Sequence, residues 1–534
     1  MGPRRIAALV AAGVLAAVTA GAPAGERAPA PRRLTILYTN DMHAQLEPIR
    51  AGWLPGSPPV GGMGALAGLE RRLGAGRDDV LLVDSGDLLT GPAVSTYTRG
   101  AAPFDLLEAM GYDAMALGNH EFDYGVPRLE ELVGGTRVPV LAANVFWRRS
   151  GRRFARPWVI VRRAGLRIGI VGVIGADAAE VTLPEHVRDL EFREPAEVLA
   201  ALVPRLRQRV DLVVVLAHQG RTGPMQLDAE AHPELQRDVD ADLRLAAAVP
   251  GIDVLVGGHA HRGLDPPLVE PTHGTIVVQT YGHTTTLGVL ELEVDPGSGR
   301  VARFEGRLER VWSDRETPPP EVARRLAHWR EVVARIAAEP VAEASAPIVR
   351  RYAGASPLGN LVTDLMRRAT GAEVALYNAG GLRADLPAGT ITRGDVTSAL
   401  PFDNRLVVVR LRGAALRAAL EQGLSEEHGM LQQSGMRVRY DPSAPPGRRL
   451  VSVTVGGAPL EDDREYTVAT IDFLVQGGDG YRSLREARPV RRSTERLDEL
   501  VVRWLRAAGR VTPVEDGRTA PVAARVRAAA AGGA

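Results

Sequence analysis

LTILYTNDMH (residues 34–43) decides how this chain reads. Six residues rich in apolar and β-branched side chains make a strand, and the polar Asn40-Asp41-Met42-His43 ends it in a loop carrying two side chains able to hold a metal. The pattern recurs. VLLVD (80–84) runs into Gly86-Asp87, and AMAL (114–117) runs into Gly118-Asn119-His120-Glu121. DLVVVLAH (211–218) ends on His218, and DVLVGGH (253–259) leads into Gly258-His259-Ala260-His261. Helical spacing falls between these strands, at 65–73, 103–111 and 195–209. Strands alternating with helices predict an α/β layered architecture, in which ligands gather at the carboxyl ends of strands.

The residue types fix a chemistry. Asp41 and His43 leave an extended chain on the same side and can reach one ion. Asp87 has two carboxylate oxygens and can bridge two ions about 3.5–4 Å apart. Asn119 offers an amide oxygen, His218 and His259 offer imidazole nitrogens, and His261 can face the other ion. Any one of these histidines alone reads as an ordinary core or surface residue. The ordered set, each member in its own turn after a strand, reads as a two-metal phosphoesterase centre. Oxygen and nitrogen donors without sulfur suit two divalent ions: zinc, manganese, iron or cobalt.

Composition bounds the rest. At 534 residues the chain is too long for a single core, which predicts two domains. Basic and acidic residues balance at 65 against 64, so no net field exists for gripping a nucleic acid polymer. Every cation is arginine, and with no cysteine there are no disulfides and no thiolate ligands. Arg4-Arg5 followed by the apolar run Ile6–Val18 reads as a cleaved export signal. The run is short of the roughly 20 residues that span a bilayer, so no stable membrane insertion is expected after cleavage. The expected destination is periplasmic or secreted. The expected organisation is a leader at 1–24, a linker at 25–33, a catalytic domain at 34–312, a linking segment at 313–345 holding one helix (321–338), a second domain at 346–515 and a disordered Ala/Arg tail at 516–534. Nothing in the sequence sets the oligomeric state.

TNDMHAQL, DSGD, GNHEFDYG, HQG and GGHAH together resemble the calcineurin-like metallophosphoesterase domain of the 5′-nucleotidase family. That family includes the periplasmic 5′-nucleotidase/UDP-sugar hydrolase type. The resemblance implies a four-layer α/β/β/α sandwich plus a second α/β domain joined by a helix. It implies Asp41, His43, Asp87 and His261 at one ion, and Asp87, Asn119, His218 and His259 at the other. It also implies a catalytic pair: His120 supports charge on the transferring phosphoryl group and Asp123 orients its imidazole. From the residues alone, Asp123 equally reads as an Asx turn before Tyr124-Gly125.

The second half extends the resemblance through SPLGN (356–360), NAGGLR (378–383), PFDN (401–404) and DFLVQGGDGY (472–481). Two of only 8 phenylalanines, Phe402 and Phe473, sit there beside Gly, Asp and Asn, where two rings can sandwich a base. They also read as domain core with the glycines as turns. Asp479 can accept from a ribose diol, and Arg383 can fork onto a phosphate. The resemblance adds Asn378, Asn404 and Gly435 to the substrate-binding set. It implies a nucleotide phosphohydrolase in which a metal-bound hydroxide attacks phosphorus in line. The alternatives are a 2′,3′-cyclic-nucleotide phosphodiesterase, a UDP-sugar hydrolase, a thiosulfate-ester hydrolase, or, from another class, a non-catalytic exported nucleotide-binding protein. One departure stands out: an arginine common in the family before the second domain aligns with Gly354, so either Arg351 reaches in or one phosphate clamp is missing. The segment 221–249 is expected over or beside the mouth of the site, where it either narrows access or serves as surface decoration.

Overall fold

Strand Arg32–Thr39 shows how the layers form. Leu34, Ile36 and Tyr38 point one way into a core shared by two sheets, while Leu37 points the other way, toward helices. This is the period-two alternation of a strand buried on both faces. The structure, a computed structural model, describes residues 30–221, 239–425 and 428–522. The expected leader at 1–24 and residues 222–238 of the 221–249 segment lie outside the described residues.

The first sheet runs in the order Val301–Arg310, Thr286–Val294, Arg32–Thr39, Val80–Asp84, Ala114–Ala116, Val140–Leu141, with the last four strands parallel. The second runs Leu268–Val269, Ile276–Val278, Val254–Gly258, Leu212–His218, Leu166–Ile174, Trp158–Arg163, with a parallel centre. Their facing sides pack Ile36, Tyr38 and Val83 against Ile170, Val214 and Val256. Helices Met63–Gly74, Ala101–Met110 and Val126–Gly135 cover the outer face of the first sheet, and Pro195–Arg207 and Asp240–Ala248 cover that of the second. The result is the expected α/β/β/α sandwich. All the parallel strands end on one side, which collects the polar loops there.

Helix Pro320–Ala337 joins the halves, as its apolar spacing predicts, burying Val322 and Leu326. Arg325 and the Trp329 indole N–H bind Asp105 on the first domain, and Arg330 pairs with Glu47 at 2.5 Å. The second domain is built on a five-stranded sheet ordered Gln432–Ser434, Val374–Tyr377, Glu465–Ile471, Arg405–Arg412, Arg488–Arg496. Helices Pro357–Thr370, Gly413–Gly423 and Leu497–Ala508 pack on it around a single apolar core.

Two boundaries differ from expectation. Pro340–Ala344 is a strand of the second domain, paired with Gly389–Thr392 and Arg510–Val511, so the linking segment ends before it. Residues expected in a disordered tail are ordered to 522: Thr519–Pro521 pairs with Met436–Tyr440, and Arg518 bridges Asp364 and Asp516. A backbone ladder and a paired guanidinium outweigh the low apolar content there. In the second domain, GTITRGDV (389–396) is a strand only to Thr392. Thr392 and Asp395 then form a reciprocal capping box that starts helix Arg393–Ala399.

Candidate metal centre and substrate cleft

Strand ends deliver every expected ligand to one place. Asp41 and His43 follow Thr39, Asp87 follows Asp84, and Asn119 and His120 follow Ala116. His218 closes its own strand in register with Gly258, just before His259 and His261. All of them are buried. Asp41, His43, Asp87, His259 and His261 adopt left-handed backbone with φ of 52, 47, 58, 70 and 52°. Non-glycine residues held this way in tight loops mark sites where surrounding structure enforces a geometry.

Around the first cluster, Asp41 Oδ2 accepts from the His259 backbone N–H at 2.9 Å, which leaves Oδ1 buried without a hydrogen bond. That oxygen lies 3.2 Å from His261 Nε2, and His43 Nε2 lies 3.1 Å from the same His261 nitrogen. His43 Nδ1 sits 2.9 Å from the Thr90 carbonyl, so it carries the proton and Nε2 presents a lone pair. In the second cluster, His218 Nδ1 donates to Ser85 O at 2.9 Å and Nε2 faces Asp87 Oδ2 at 3.1 Å. Lone pairs aimed at one another and at carboxylates, with Asn119 Oδ1 also unpartnered, need a cation between them. The donor set therefore fits divalent ions. Asp87 belongs both to the group with His218 and His259 and to the group with His43 and His120, the arrangement of a bridging carboxylate.

Electrostatics agree. Burial alone would raise Asp87, but His218 and His120 hold it well below the usual carboxylate range. Burial also works against charge on His218, yet the Asp87 carboxylate lifts it to about 10.

Glu121, to which the sequence reading gave no role, organises the centre. Its carboxylate accepts from the backbone N–H groups of Asp87, Leu88, Leu89 and Gly118 at 3.0, 2.9, 3.1 and 2.6 Å, tying the two ligand loops together. At Gly118 the approach is so close that a Cβ would collide with the Asp87 carboxylate. His120 Nδ1 donates to Asp123 Oδ2 at 2.7 Å, and Thr90 Oγ1 donates to the same oxygen. Asp123 is thus a side-chain partner of His120 and not merely a turn residue. Burial disfavours charge on His120, but Asp123 and Asp87 outweigh it and raise the imidazole above its ordinary value.

The second domain closes over this centre. Arg383 donates to His120 Nε2 at 3.2 Å, and its guanidinium lies 5.6 Å from the Phe402 ring centroid. The Phe402 ring stands 5.7 Å from that of His120. One cleft is lined by Asp87, Asn119, His120, His259 and His261 from the first domain, and by Asn378, Arg383, Phe402, Asn404, Phe473 and Asp479 from the second. Asn378 Nδ2 donates to Asp479 Oδ2 at 2.8 Å, leaving Asn378 Oδ1 buried and unpartnered. Phe473 belongs to the domain core and also lines the cleft.

Gly435 and Arg351 do not line the cleft. Gly435 sits in a separate groove with Asp364, Arg367 and Arg518; it is glycine because a Cβ would strike the Glu373 carbonyl, at φ 90°. Arg351 does not replace the arginine missing at Gly354, because it pairs with Glu515 at the surface at 2.8 Å. The buried cation of that loop is Arg350, whose charge bears on Arg383 and His283. Sequence reasoning also missed His428 and Tyr352, which line the cleft, and His283, which stacks on His43.

A cluster of Asp and His side chains able to hold metal, at the strand ends of an α/β/β/α sandwich, fits a metal-dependent phosphoesterase, and the comparisons agree. A calcineurin-like phosphoesterase model matches residues 34–263, and a 5′-nucleotidase C-terminal domain model matches 332–486. The solved 5′-nucleotidase precursor from Thermus thermophilus is 32% identical, covers 92% of this chain and 99% of its own, and superimposes with a TM-score of 0.80. The snake venom 5′-nucleotidase of Naja atra is 28% identical over 91% of this chain and 98% of its own. The sulfate thiohydrolase SoxB of Thermus thermophilus, 23% identical with a TM-score of 0.73 over 93% of this chain and 98% of its own, shares the fold. The chain belongs to the 5′-nucleotidase family and is a metal-dependent, 5′-nucleotidase-like hydrolase. Among the described residues, no helix is long and apolar enough to cross a membrane.

Proposed function

We propose that the protein is an exported nucleotide phosphohydrolase that releases phosphate from nucleoside 5′-phosphates with two divalent ions. Asp41, His43, Asp87 and His261 hold one ion, and Asp87, Asn119, His218 and His259 the other. When bound, the ions supply Lewis-acid neutralisation of phosphoryl charge and a water acidified toward neutral pH. The observation that carries this reading is the Arg383–His120 contact: a cation that can fork onto phosphate meets the candidate catalytic imidazole at the edge of the metal centre.

A phosphoryl group entering between them replaces that contact with hydrogen bonds from both. Asp123 holds the Nδ1–H of His120, and Nε2 donates to a phosphoryl oxygen in the imidazolium form, which Asp123 and Asp87 favour. Phe402 and Phe473 flank the base, and Asp479, positioned by Asn378, accepts from the ribose. Since the residue at 354 is glycine, cyclic phosphates and UDP-sugars form a second substrate reading. Assaying nucleoside mono-, di- and cyclic phosphates and UDP-sugars with manganese, zinc and cobalt tests both. Release of phosphate from no nucleotide by metal-loaded protein would sink the proposal in favour of a binding protein.

A further inference from the structure

His283 lies in the loop after strand Ile276–Val278, the same strand-end position that carries the candidate ligands. Its backbone N–H donates to Asp41 O at 2.8 Å, which ties this loop to the first ligand loop. Like five of the ligands it is held in the left-handed region, at φ 48°. The side chain is only 6% exposed, and its Nε2 is buried with no hydrogen-bond partner.

Its ring centroid lies 4.9 Å from that of His43 at 27° and 5.4 Å from that of His261 at 70°. One nitrogen of each of these three rings lies within 4.8 Å of the other two. Imidazoles bound to one ion through bonds of about 2 Å have centroids about 5 Å apart, which all three pairs match.

We propose that His283 is an additional ligand of the ion held by Asp41, His43 and His261. This rests on the metal-centre reading above and extends it to metal preference. A third neutral imidazole makes that position richer in nitrogen, which favours zinc or cobalt over manganese.

The test uses full-length protein, its His283→Phe variant, which keeps a ring of similar size without a donor atom, and its His283→Gln variant, which keeps a donor. Each is stripped of metal, checked for an unchanged melting transition, and titrated with zinc against a competing chelator. One of the two zinc constants weakens at least about tenfold in His283→Phe and less in His283→Gln. The visible spectrum of the cobalt-loaded protein changes with it. If neither variant folds, proton NMR of the wild-type cobalt protein decides, because a ligating His283 ring shows hyperfine-shifted signals alongside those of His43 and His261. Unchanged zinc constants and cobalt spectra in folded variants, or no shifted His283 signals, would overturn the proposal. A wild-type protein that takes up no ion would instead overturn the metal-centre reading beneath it.

Discussion

Arg383 of the second domain donates to Nε2 of His120 of the first, 3.2 Å across the cleft. The contact joins groups 263 positions apart in sequence, and neighbouring bonds support the same closure. The Ala93 N–H donates to Ser398 Oγ at 3.0 Å, Thr96 Oγ1 donates to the Pro401 carbonyl at 3.2 Å, and Arg492 pairs with Glu185 at 3.2 Å. The half that carries Arg383 and the half that carries the candidate metal ligands therefore share one cleft.

Arg383→Ala is expected to lower kcat/KM for a nucleoside monophosphate by about 10²-fold or more, since a charge-assisted hydrogen bond contributes about 1.5–3 kcal/mol and the fork makes two. Arg383→Lys keeps the charge but not the planar fork, so it recovers only part of that loss. Steady-state kinetics at fixed manganese check both, and a Lys variant equal to wild type would contradict the bidentate role.

His120→Ala is expected to cost about 10²–10⁴-fold in kcat. Asp123→Asn, which removes the acceptor that fixes the His120 tautomer, follows in the same direction with a smaller loss. The double variant falls little below His120→Ala, because the two act as a unit. Losses that multiply in the double variant would show that Asp123 works independently.

Glu121→Gln replaces an acceptor of four backbone N–H groups with an amide whose NH₂ faces donors. Each buried donor left unpaired costs about 1–3 kcal/mol, so the melting temperature falls. Metal affinity falls with it, because the Asp87 and Gly118 loops lose their common tie. Chelator titration combined with thermal melting reads both, and a drop in melting temperature with unchanged metal affinity would reduce Glu121 to a folding role.

Glu70 gives a pH signature away from the metal centre. Burial pushes its carboxyl up to about 8; Tyr112 donates to Oε1 at 2.7 Å, while Oε2 has no partner. The folded state binds this proton more tightly than the unfolded chain. Its contribution to stability is therefore full below about pH 4.5 and is lost as pH rises toward about 8, at roughly 1.4 kcal/mol per pH unit. Glu70→Gln, neutral at every pH, flattens that part of the curve. Denaturant unfolding from about pH 5 to 8 checks it, and parallel curves for variant and wild type would contradict the assignment.

Much of this was legible in sequence because each ligand patch follows its own apolar run, and a parallel strand that ends in a polar loop places that loop at the carboxyl edge. His283 follows the same rule after Ile276–Val278, but Gly282-His283-Thr284 reads as an ordinary turn until its ring is seen against His43. The choice between Arg350 and Arg351 turns on which way successive side chains leave an irregular segment, and no periodicity governs such a segment. Gly435 is glycine for the sake of the Glu373 carbonyl, and a backbone collision leaves no residue-type signature that separates it from a ligand contact. The ordered stretch to 522 depends on Asp364, more than a hundred positions earlier, which no local composition announces.

Phosphate release from a nucleoside 5′-monophosphate before and after chelation tests the two-domain, metal-dependent reading most directly, with Asp87→Asn and Arg383→Ala measured alongside. Activity should vanish in chelator and return when manganese, zinc or cobalt is added. Asp87→Asn should lose both ions' function, and Arg383→Ala should keep the ions while losing turnover. Phosphate release that persists in chelator, or an Arg383→Ala protein as active as wild type, would contradict it.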